Sequence, residues 1–163
     1  MQARRLNGAD AAQWRALRLE ALATAPKAFL TTYAEAEALP LQTIADRLEA
    51  GHTYGVARTA DLVGIGSLIP MTRTQTRHRG EVGAFFVQAA AQGTGAADVL
   101  MHAIIAAAAD LGIWQLELYV ADSNPRAIAF YTRHSFIEAG RLPNAVVTED
   151  GPETDILMVR TRR

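Results

Sequence analysis

One segment of the chain reads Phe85-Phe86-Val87-Gln88-Ala89-Ala90-Ala91-Gln92-Gly93-Thr94-Gly95-Ala96-Ala97. It begins as an apolar run typical of a strand, passes through a glycine-rich turn and enters an alanine-rich stretch typical of a helix. Backbone amides at such a turn point outward with no side chain in the way, and the helix dipole adds partial positive charge. The segment therefore predicts a binding site for a phosphate or pyrophosphate group.

The composition limits the class of protein. The chain has 163 residues and a net charge of -1, with 50% hydrophobic and 20% charged residues, which is typical of one globular domain spanning residues 1–163. Such a charge gives no case for nucleic-acid binding, which calls for a basic face. The absence of cysteine excludes disulfides and thiolate metal sites and agrees with a reducing cytoplasm. Neither a leader-like apolar region after Arg5 nor a run of about 18 apolar residues is found, so a soluble cytoplasmic protein without a membrane partner is expected.

The hydrophobic periodicity predicts alternating helices and strands. Helices are expected over 10–23, 40–50, 95–111 and 124–134, and the segment 27–38 is ambiguous. Strands are expected over 3–6, 54–59, 62–70, 81–87, 113–120, 136–141 and 155–160, with a flexible connection over 147–154. Strand 81–87, helix 95–111 and strand 113–120 form one βαβ unit. The two strands of this unit should therefore be parallel neighbours in a mixed sheet.

Three kinds of glycine-rich phosphate site compete for the segment. A P-loop needs a lysine followed by serine or threonine after its second glycine, but Ala96 and Ala97 follow Gly95, so it is excluded. A dinucleotide-binding fingerprint needs a glycine at position 98, where the chain has Asp98. The βαβ unit also lies in the middle of the chain rather than at its start, so a dinucleotide site is disfavoured.

The third kind of site is found in a known family. Residues 92–97 resemble the Gln/Arg-x-x-Gly-x-Gly/Ala motif of the GNAT superfamily of acyl-CoA-dependent N-acetyltransferases. A glycine turn in front of a buried helix would explain this motif alone. However, residues 124–136 also resemble the family's Asn-x-x-Ala-x-x-Leu/Phe-Tyr-x-x-x-Gly-Phe segment, with Ser135 where glycine is usual. The two motifs follow strands in the family's order, and the elements of almost the whole chain are similar in order too.

The resemblance implies a fold and a reaction. The fold is α/β, with a mixed, mostly antiparallel sheet in which two parallel strands splay apart, flanked by four helices. The reaction transfers an acetyl group from acetyl-CoA to a primary amine by direct attack, without a metal, and the absence of cysteine removes the most obvious covalent nucleophile. The acceptor is a small-molecule or peptide amine that the sequence does not identify, and a homodimer is compatible with it. The alternatives are a non-catalytic acyl-CoA-binding module and a purely structural interaction protein.

The resemblance also assigns residues to the cofactor. The backbone of Phe85, Phe86 and Val87 is expected to pair with the pantetheine arm like an added strand. An amide near Phe86 or Val87 would then polarise the thioester carbonyl. The pyrophosphate is expected to lie on the loop formed by Gln92, Gly93, Thr94, Gly95, Ala96 and Ala97. Asn124, which can cap the helix over 124–134, touches the cofactor arm in many family members.

Three further residues are candidates for catalysis or acceptor binding. By resemblance, Tyr131 donates a proton or a hydrogen bond to the departing CoA thiolate. Glu81 stands eleven residues before Gln92, where some family members place a glutamate base, and an apolar cleft would raise its pKa. A solvated glutamate or a water chain is the alternative. Phe29 lies in the region that walls the acceptor pocket. The four histidines are scattered without ligand spacing, so no metal site is expected.

Overall fold

The computed structural model describes residues 1–162 of the chain. Five helices are present: α1 (Ala11–Thr24), α2 (Tyr33–Ala38), α3 (Leu41–Ala50), α4 (Ala96–Asp110) and α5 (Pro125–Arg133). The seven strands are β1 (Gln2–Arg5), β2 (Thr53–Arg58), β3 (Asp61–Pro70), β4 (Arg79–Val87), β5 (Gln115–Ala121), β6 (Ile137–Thr148) and β7 (Gly151–Thr161). The predicted mixed α/β fold is confirmed.

The strands form one sheet in the order β1-β2-β3-β4-β5-β7-β6. All neighbouring pairs are antiparallel except β4 and β5, which are parallel. The parallel pairing joins residues 79–81 to residues 115–117 and goes no further along β4. The prediction of a mostly antiparallel sheet with two splayed parallel strands is therefore correct.

Helices cover both faces of the sheet. On one face α4 buries Leu100, Met101 and Ile104, at positions that recur with the helical period. On the other face Ile44 and Leu48 of α3 pack with residues of α1 and β3. Because burying a side chain of this size contributes about 1.5–3 kcal/mol, the two faces hold the central strands firmly in position. Within residues 1–162, no helix combines the length and the apolar composition needed to cross a membrane.

The number of helices differs from the expected four, because the ambiguous segment 27–38 contains α2. Thr32 and Glu35 form a capping box at its start. The Thr32 hydroxyl accepts from the Glu35 amide at 3.3 Å, and the Glu35 carboxylate accepts from the Thr32 amide at 2.8 Å. The helix has only six residues, so its cap is a stronger signal than its periodicity.

The last two strands are longer than expected, and the predicted flexible connection over 147–154 is wrong. β6 continues to Thr148 and β7 begins at Gly151, so only two residues form the turn. Two register shifts interrupt β6, and Asn144 within it has a φ of +53°. Such bulges break the alternation of side chains by which a strand is recognised in a sequence.

Candidate active site

A β-bulge redirects the end of β4. The register against β3 shifts between Ile65 and Ser67, so that Ala84 and Phe85 lie opposite Gly66. Ala84 has a φ of +49°, a conformation that costs a non-glycine residue about 1–2 kcal/mol. Since the pairing with β5 ends at Glu81, the strand beyond the bulge borders an open gap between β4 and β5.

The backbone of Val87 faces this gap. The Gln88 amide donates to the Val63 carbonyl of β3 at 2.9 Å. Because successive residues of an antiparallel strand direct their N–H groups to opposite sides, the amide of Val87 points away from β3, whereas that of Phe86 points towards it. The Gln92 side chain donates to the Val87 carbonyl at 3.1 Å. The Val87 N–H is therefore a donor that β4 presents to the gap.

The glycine turn depends on two residues with a left-handed backbone. Gly93 has a φ of +75° and Gly95 a φ of +86°. A Cβ atom at either position would meet nothing within 4 Å, so the backbone conformation, and not crowding, selects glycine here. The amides of Gln92 and Thr94 donate within the turn, to the carbonyls of Ala89 and Ala91.

Helix α4 begins directly behind this turn with uncapped amides. Gly95 is its N-cap and supplies no side chain, and the first helical bond runs from Val99 to the Gly95 carbonyl at 3.0 Å. The N–H groups of Ala96, Ala97 and Asp98 consequently have no acceptor within the helix. The amides of Gly93 and Gly95 also donate to no backbone carbonyl within residues 1–162. Such a cradle of donors, with open space where side chains would stand, fits a pyrophosphate.

Helix α5 supplies the opposite wall. The side-chain oxygen Oδ1 of Asn124 accepts from the Ala127 amide at 3.1 Å, so this residue caps the helix as expected. At the other end Ser135, which replaces the usual glycine, has a φ of +66°. Phe136 beyond it is fully buried and anchors the helix to the core.

Tyr131 lies among aromatic rings on β4, on α5 and just before β6. Its ring centroid is 6.2 Å from that of Phe85, 5.4 Å from Phe130 and 5.9 Å from Phe136. Burial raises the pKa of the phenol to about 12. The hydroxyl makes no hydrogen bond within residues 1–162, and Tyr131 lines a cleft. It is thus a protonated donor available to a ligand.

The cleft has a volume of about 740 Å³. It is bounded by the end of β4, the glycine turn, the start of α4, α5 and the end of α1. Ten of the predicted site residues line it: Phe29, Phe85, Phe86, Val87, Gln92, Gly93, Gly95, Ala97, Asn124 and Tyr131. Thr94 is not a lining residue, since its hydroxyl donates back to the Ala91 carbonyl at 2.6 Å, and the side chain of Ala96 is buried in the core.

Comparison with known proteins identifies the family. The model of the acetyltransferase (GNAT) family matches residues 14–136. The chain belongs to the GNAT family. It is therefore an acetyl-CoA-dependent N-acetyltransferase, and the predictions of the family, the enzyme class and the acetyl-CoA cosubstrate are confirmed. A search of curated proteins returns no match.

Solved structures share the GNAT fold along the whole chain. The ribosomal-protein-alanine N-acetyltransferase from Brucella melitensis is 19% identical, with a TM-score of 0.81 over 99% of this chain and 100% of that one. A GNAT-family acetyltransferase from Streptococcus pneumoniae is 22% identical, with a TM-score of 0.78 over 98% of both chains. The yncA protein from Salmonella typhimurium, solved with acetyl-CoA, is 16% identical, with a TM-score of 0.85 over 99% and 93%. At these identities the likeness shows the fold.

Glu81 of this GNAT chain lies apart from the cleft wall. β4 begins at Arg79, two residues earlier than expected, so Glu81 belongs to the paired part of the strand and lies opposite Glu117 of β5. The Glu117 carboxylate accepts from the Arg79 guanidinium at 2.8 Å. Burial, and then the charge of Glu117, raise the pKa of Glu81. This carboxyl group stands at the closed end of the gap, below the residues that line the cleft.

Four charged residues on the GNAT cleft are absent from the sequence-based site: Glu20, Asp98, Arg126 and Arg133. Arg126 and Arg133 of α5 line it beside the glycine turn. Both belong to the second motif, over 124–136, and could have been predicted from it. Glu20 of α1 also lines it and accepts from the Gln88 side chain at 2.6 Å. A glutamate on an amphipathic helix is usually solvent-facing, so Glu20 gave no signal. Within residues 1–162, no group of three or more His, Cys, Asp or Glu is placed to hold a metal.

Proposed function

We propose that this enzyme transfers the acetyl group of acetyl-CoA directly to a primary amine while both substrates are bound. The observation that carries the proposal is the convergence of three kinds of donor on one cleft: the glycine-turn amides, the Val87 amide and the Tyr131 hydroxyl. Acetyl-CoA supplies an activated acetyl thioester when bound. The chain's own residues orient this group, stabilise developing charge and accept a proton.

The glycine turn and β4 hold the donor. The N–H groups of Gly93, Gly95, Ala96 and Ala97 bind the pyrophosphate, assisted by the dipole of α4. Gln92 and Thr94 shape the turn through their bonds to Val87 and Ala91. The exposed edge of β4 beyond the bulge, over 85–87, pairs with the pantetheine arm as an added strand would. Asn124 contributes the facing wall from the start of α5.

The Val87 amide stabilises the transition state. As the amine attacks, negative charge develops on the carbonyl oxygen, and a fixed N–H dipole lowers the energy of that charge. The neighbouring residues, Phe86 and Gln88, are held by the ladder with β3, so the Val87 dipole needs no reorganisation during the reaction. A donor of this kind is worth about 10²–10³ in kcat.

Tyr131 stabilises the leaving group by a hydrogen bond. With a pKa of about 12, the phenol remains protonated throughout the neutral range. A thiolate, whose conjugate thiol has a pKa of about 8.5, is too weak a base to remove that proton completely. Tyr131 therefore donates a hydrogen bond to the sulfur as the carbon–sulfur bond breaks, and CoA leaves as a thiolate. The proton lost by the amine goes to the base.

Glu81 acts as the base in this proposal. Its raised pKa brings it nearer to neutral pH, where a base is most effective. Because it lies below the cleft wall, it receives the proton from the amine through water. Glu20, which lines the cleft directly, is the second candidate for the base. The variants Glu81→Gln and Glu20→Gln distinguish the two residues.

Steady-state kinetics with a panel of primary amines test the proposal. CoA release is measured while acetyl-CoA and amine are both varied. Intersecting double-reciprocal lines support direct transfer in a ternary complex, and parallel lines contradict it. Stabilisation by acetyl-CoA in a thermal-shift assay without turnover on any amine would favour a non-catalytic binding module.

A further inference from the structure

A second, smaller cavity lies beside the cleft. It has a volume of about 190 Å³ and is enclosed by α1, α2, α3, the segment around Thr31 and the bulge of β4. Three arginines, Arg15, Arg18 and Arg47, are among its lining residues, and no carboxylate side chain is. The cavity is therefore strongly positive.

Two unpaired donors mark this cavity. Within residues 1–162, the buried side-chain nitrogen or oxygen atoms without a hydrogen-bond partner are Trp14 Nε1 and Arg18 Nη1. Both residues line the cavity. Buried donors in folded proteins are nearly always paired. Two unpaired donors at one cavity therefore indicate that a bound group supplies the acceptor.

The arginines also lack counter-charges. None of the three forms an ion pair with a carboxylate within residues 1–162. Burial lowers the pKa of Arg18, although a guanidinium still stays protonated in a protein. A partly buried cation without a partner is costly, and a bound anion would remove that cost.

The cavity adjoins the reacting end of the cleft. Along β4, Ala84 lines the small cavity, and Phe85, Phe86 and Val87 line the cleft. The Arg18 guanidinium lies 4.6 Å from the centre of the Phe29 ring, whose residue also lines the cleft. At about 3.3 Å per residue, the strand carries the chain at most about 10 Å from Ala84 to Val87.

We infer that Arg18, supported by Arg15 and Arg47, forms an anion-binding subsite for the acceptor. The acceptor is then a primary amine that also carries an anionic group, within about 10 Å of the amine nitrogen. The planar fork of Arg18 suits a carboxylate, or another oxyanion of similar shape. The same positive cavity repels a second ammonium group, which disfavours polyamines. This inference rests on the proposed amine acetylation.

Matched amines of equal length test the subsite. 4-Aminobutyrate, 3-aminopropylphosphonate, butylamine and 1,4-diaminobutane are compared as acceptors by kcat/KM. We expect the carboxylate or the phosphonate to exceed butylamine at least about tenfold, since hydrogen bonds to charged groups are strong, and the diamine to be poorest. Lengthening the amino carboxylate should locate an optimum, and the ranking of carboxylate and phosphonate identifies the preferred anion.

Arg18→Met provides the residue-level test. It should lower kcat/KM for the anionic amine about tenfold to hundredfold more than it lowers kcat/KM for butylamine. Arg58→Met, at the exposed end of β2, is the control and should change neither. If Arg18→Met does not fold, Arg47→Met should give a smaller loss of the same selectivity. Equal losses on both amines, or a wild-type preference for butylamine or the diamine, would overturn the subsite.

Binding distinguishes failure of the subsite from failure of the proposed function. If no amine is acetylated, direct acetyl transfer to amines is wrong, and calorimetry with 4-aminobutyrate and CoA then tests the subsite alone. Binding to the wild type that is weakened at least about tenfold in Arg18→Met supports the anion subsite. No binding to the wild type, or equal binding to both proteins, contradicts it.

Discussion

The proposed donor and acceptor sides of the cleft are made from different parts of the amino acids. On the proposed donor side the groups available to a ligand are backbone amides, from Val87, the glycine turn and the first turn of α4. On the proposed acceptor side they are side chains, including Glu20 and Phe29 on the cleft and Arg18 on the adjoining cavity. The first side therefore depends on conformation and the second on residue identity.

This difference explains why one side has a recognisable sequence pattern and the other does not. A backbone site needs a few residues with unusual φ angles or no side chain, and these appear as a short pattern such as Gly93-Thr94-Gly95. A side-chain site is assembled from separate helices, and any polar residue there resembles an ordinary surface residue. The residues proposed to bind the donor can thus be predicted from the sequence. Those proposed to bind the acceptor can be identified only once the packing of the helices is known.

The largest expected effect comes from removing a single backbone N–H on the donor side. Replacing Val87 by its α-hydroxy acid analogue converts this amide into an ester without changing the side chain. We expect kcat to fall about 10²–10³-fold, because the oxyanion loses its donor. Pre-steady-state measurement of acetyl transfer gives the rate.

The same replacement at Gln88 is the matched control. It removes a ladder hydrogen bond to Val63, so stability should fall by about 1 kcal/mol while kcat is retained. If the two esters reduce kcat equally, the Val87 amide is a structural group and not an oxyanion donor.

A smaller loss is expected for Tyr131→Phe, which removes the side-chain donor proposed for the leaving group. Loss of a hydrogen bond to a charged sulfur should reduce kcat about tenfold to hundredfold, with the Kd of CoA unchanged. Tyr119→Phe, on the exposed surface of β5, is the control. A phenol donates only while protonated, so with a pKa of about 12 its contribution is lost only as pH rises through that value. An alkaline limb below about pH 10 that vanishes in Tyr131→Phe would contradict the assignment.

The next largest effect is expected for Gly95→Ala, which tests whether the left-handed backbone at this position forms the pyrophosphate site. The left-handed backbone disfavours alanine by about 1–2 kcal/mol, and the turn must shift to relieve it. We expect the KM for acetyl-CoA to rise about tenfold, a factor that corresponds to this energy. Gly112→Ala is the control, because Gly112 has a φ of +73° and equally open surroundings at the far end of α4. It should cost similar stability without affecting the KM.

The smallest effect concerns the base and is a change in the pH profile. Glu81 accepts a proton only when ionised, and its pKa is raised by burial and by Glu117. Activity should therefore increase as pH rises through a pKa higher than that of an ordinary glutamate. Glu81→Gln should abolish this acidic limb, and Glu20→Gln should preserve it. The reverse pattern would assign the base to the acceptor side.

Stability provides a check on the Glu81 variant. A carboxyl group with a raised pKa in the folded state contributes stability below its unfolded pKa, and loses that contribution as pH rises through the folded value. At neutral pH Glu81→Gln should consequently be at least as stable as the wild type in thermal unfolding. A lower Tm would mean that a loss of activity reflects damage to the fold.

The fold was largely predictable because its long elements have strong periodicity. The central βαβ unit with its parallel strands and the antiparallel hairpins follow from the alternation of apolar residues. The short helix α2 and the bulged strand β6 do not, because a capping box and two register shifts override the local pattern. A local cap decides the helix, and pairing with β7 decides the strand.

The candidate site was predictable mainly where its residues belong to the two sequence motifs. The glycine turn, Asn124 and Tyr131 carry motif positions, and the structure brings them to one cleft. The bulge at Ala84 has no local signal, since alanine does not favour a positive φ. Arg18 and Glu20 belong to one helix, yet one lines the cavity and the other the cleft, a division that only the packing of α1 against β4 defines.

A crystal structure with bound CoA tests the central claim most directly. We expect the pyrophosphate oxygens to lie within about 3.2 Å of the amides of Gly93, Gly95, Ala96 or Ala97. The pantetheine arm should run along the exposed edge of β4, and the sulfur should lie beside Val87 and the Tyr131 hydroxyl. A pyrophosphate bound away from the glycine turn, or a sulfur outside the cleft between β4 and α5, would contradict the account.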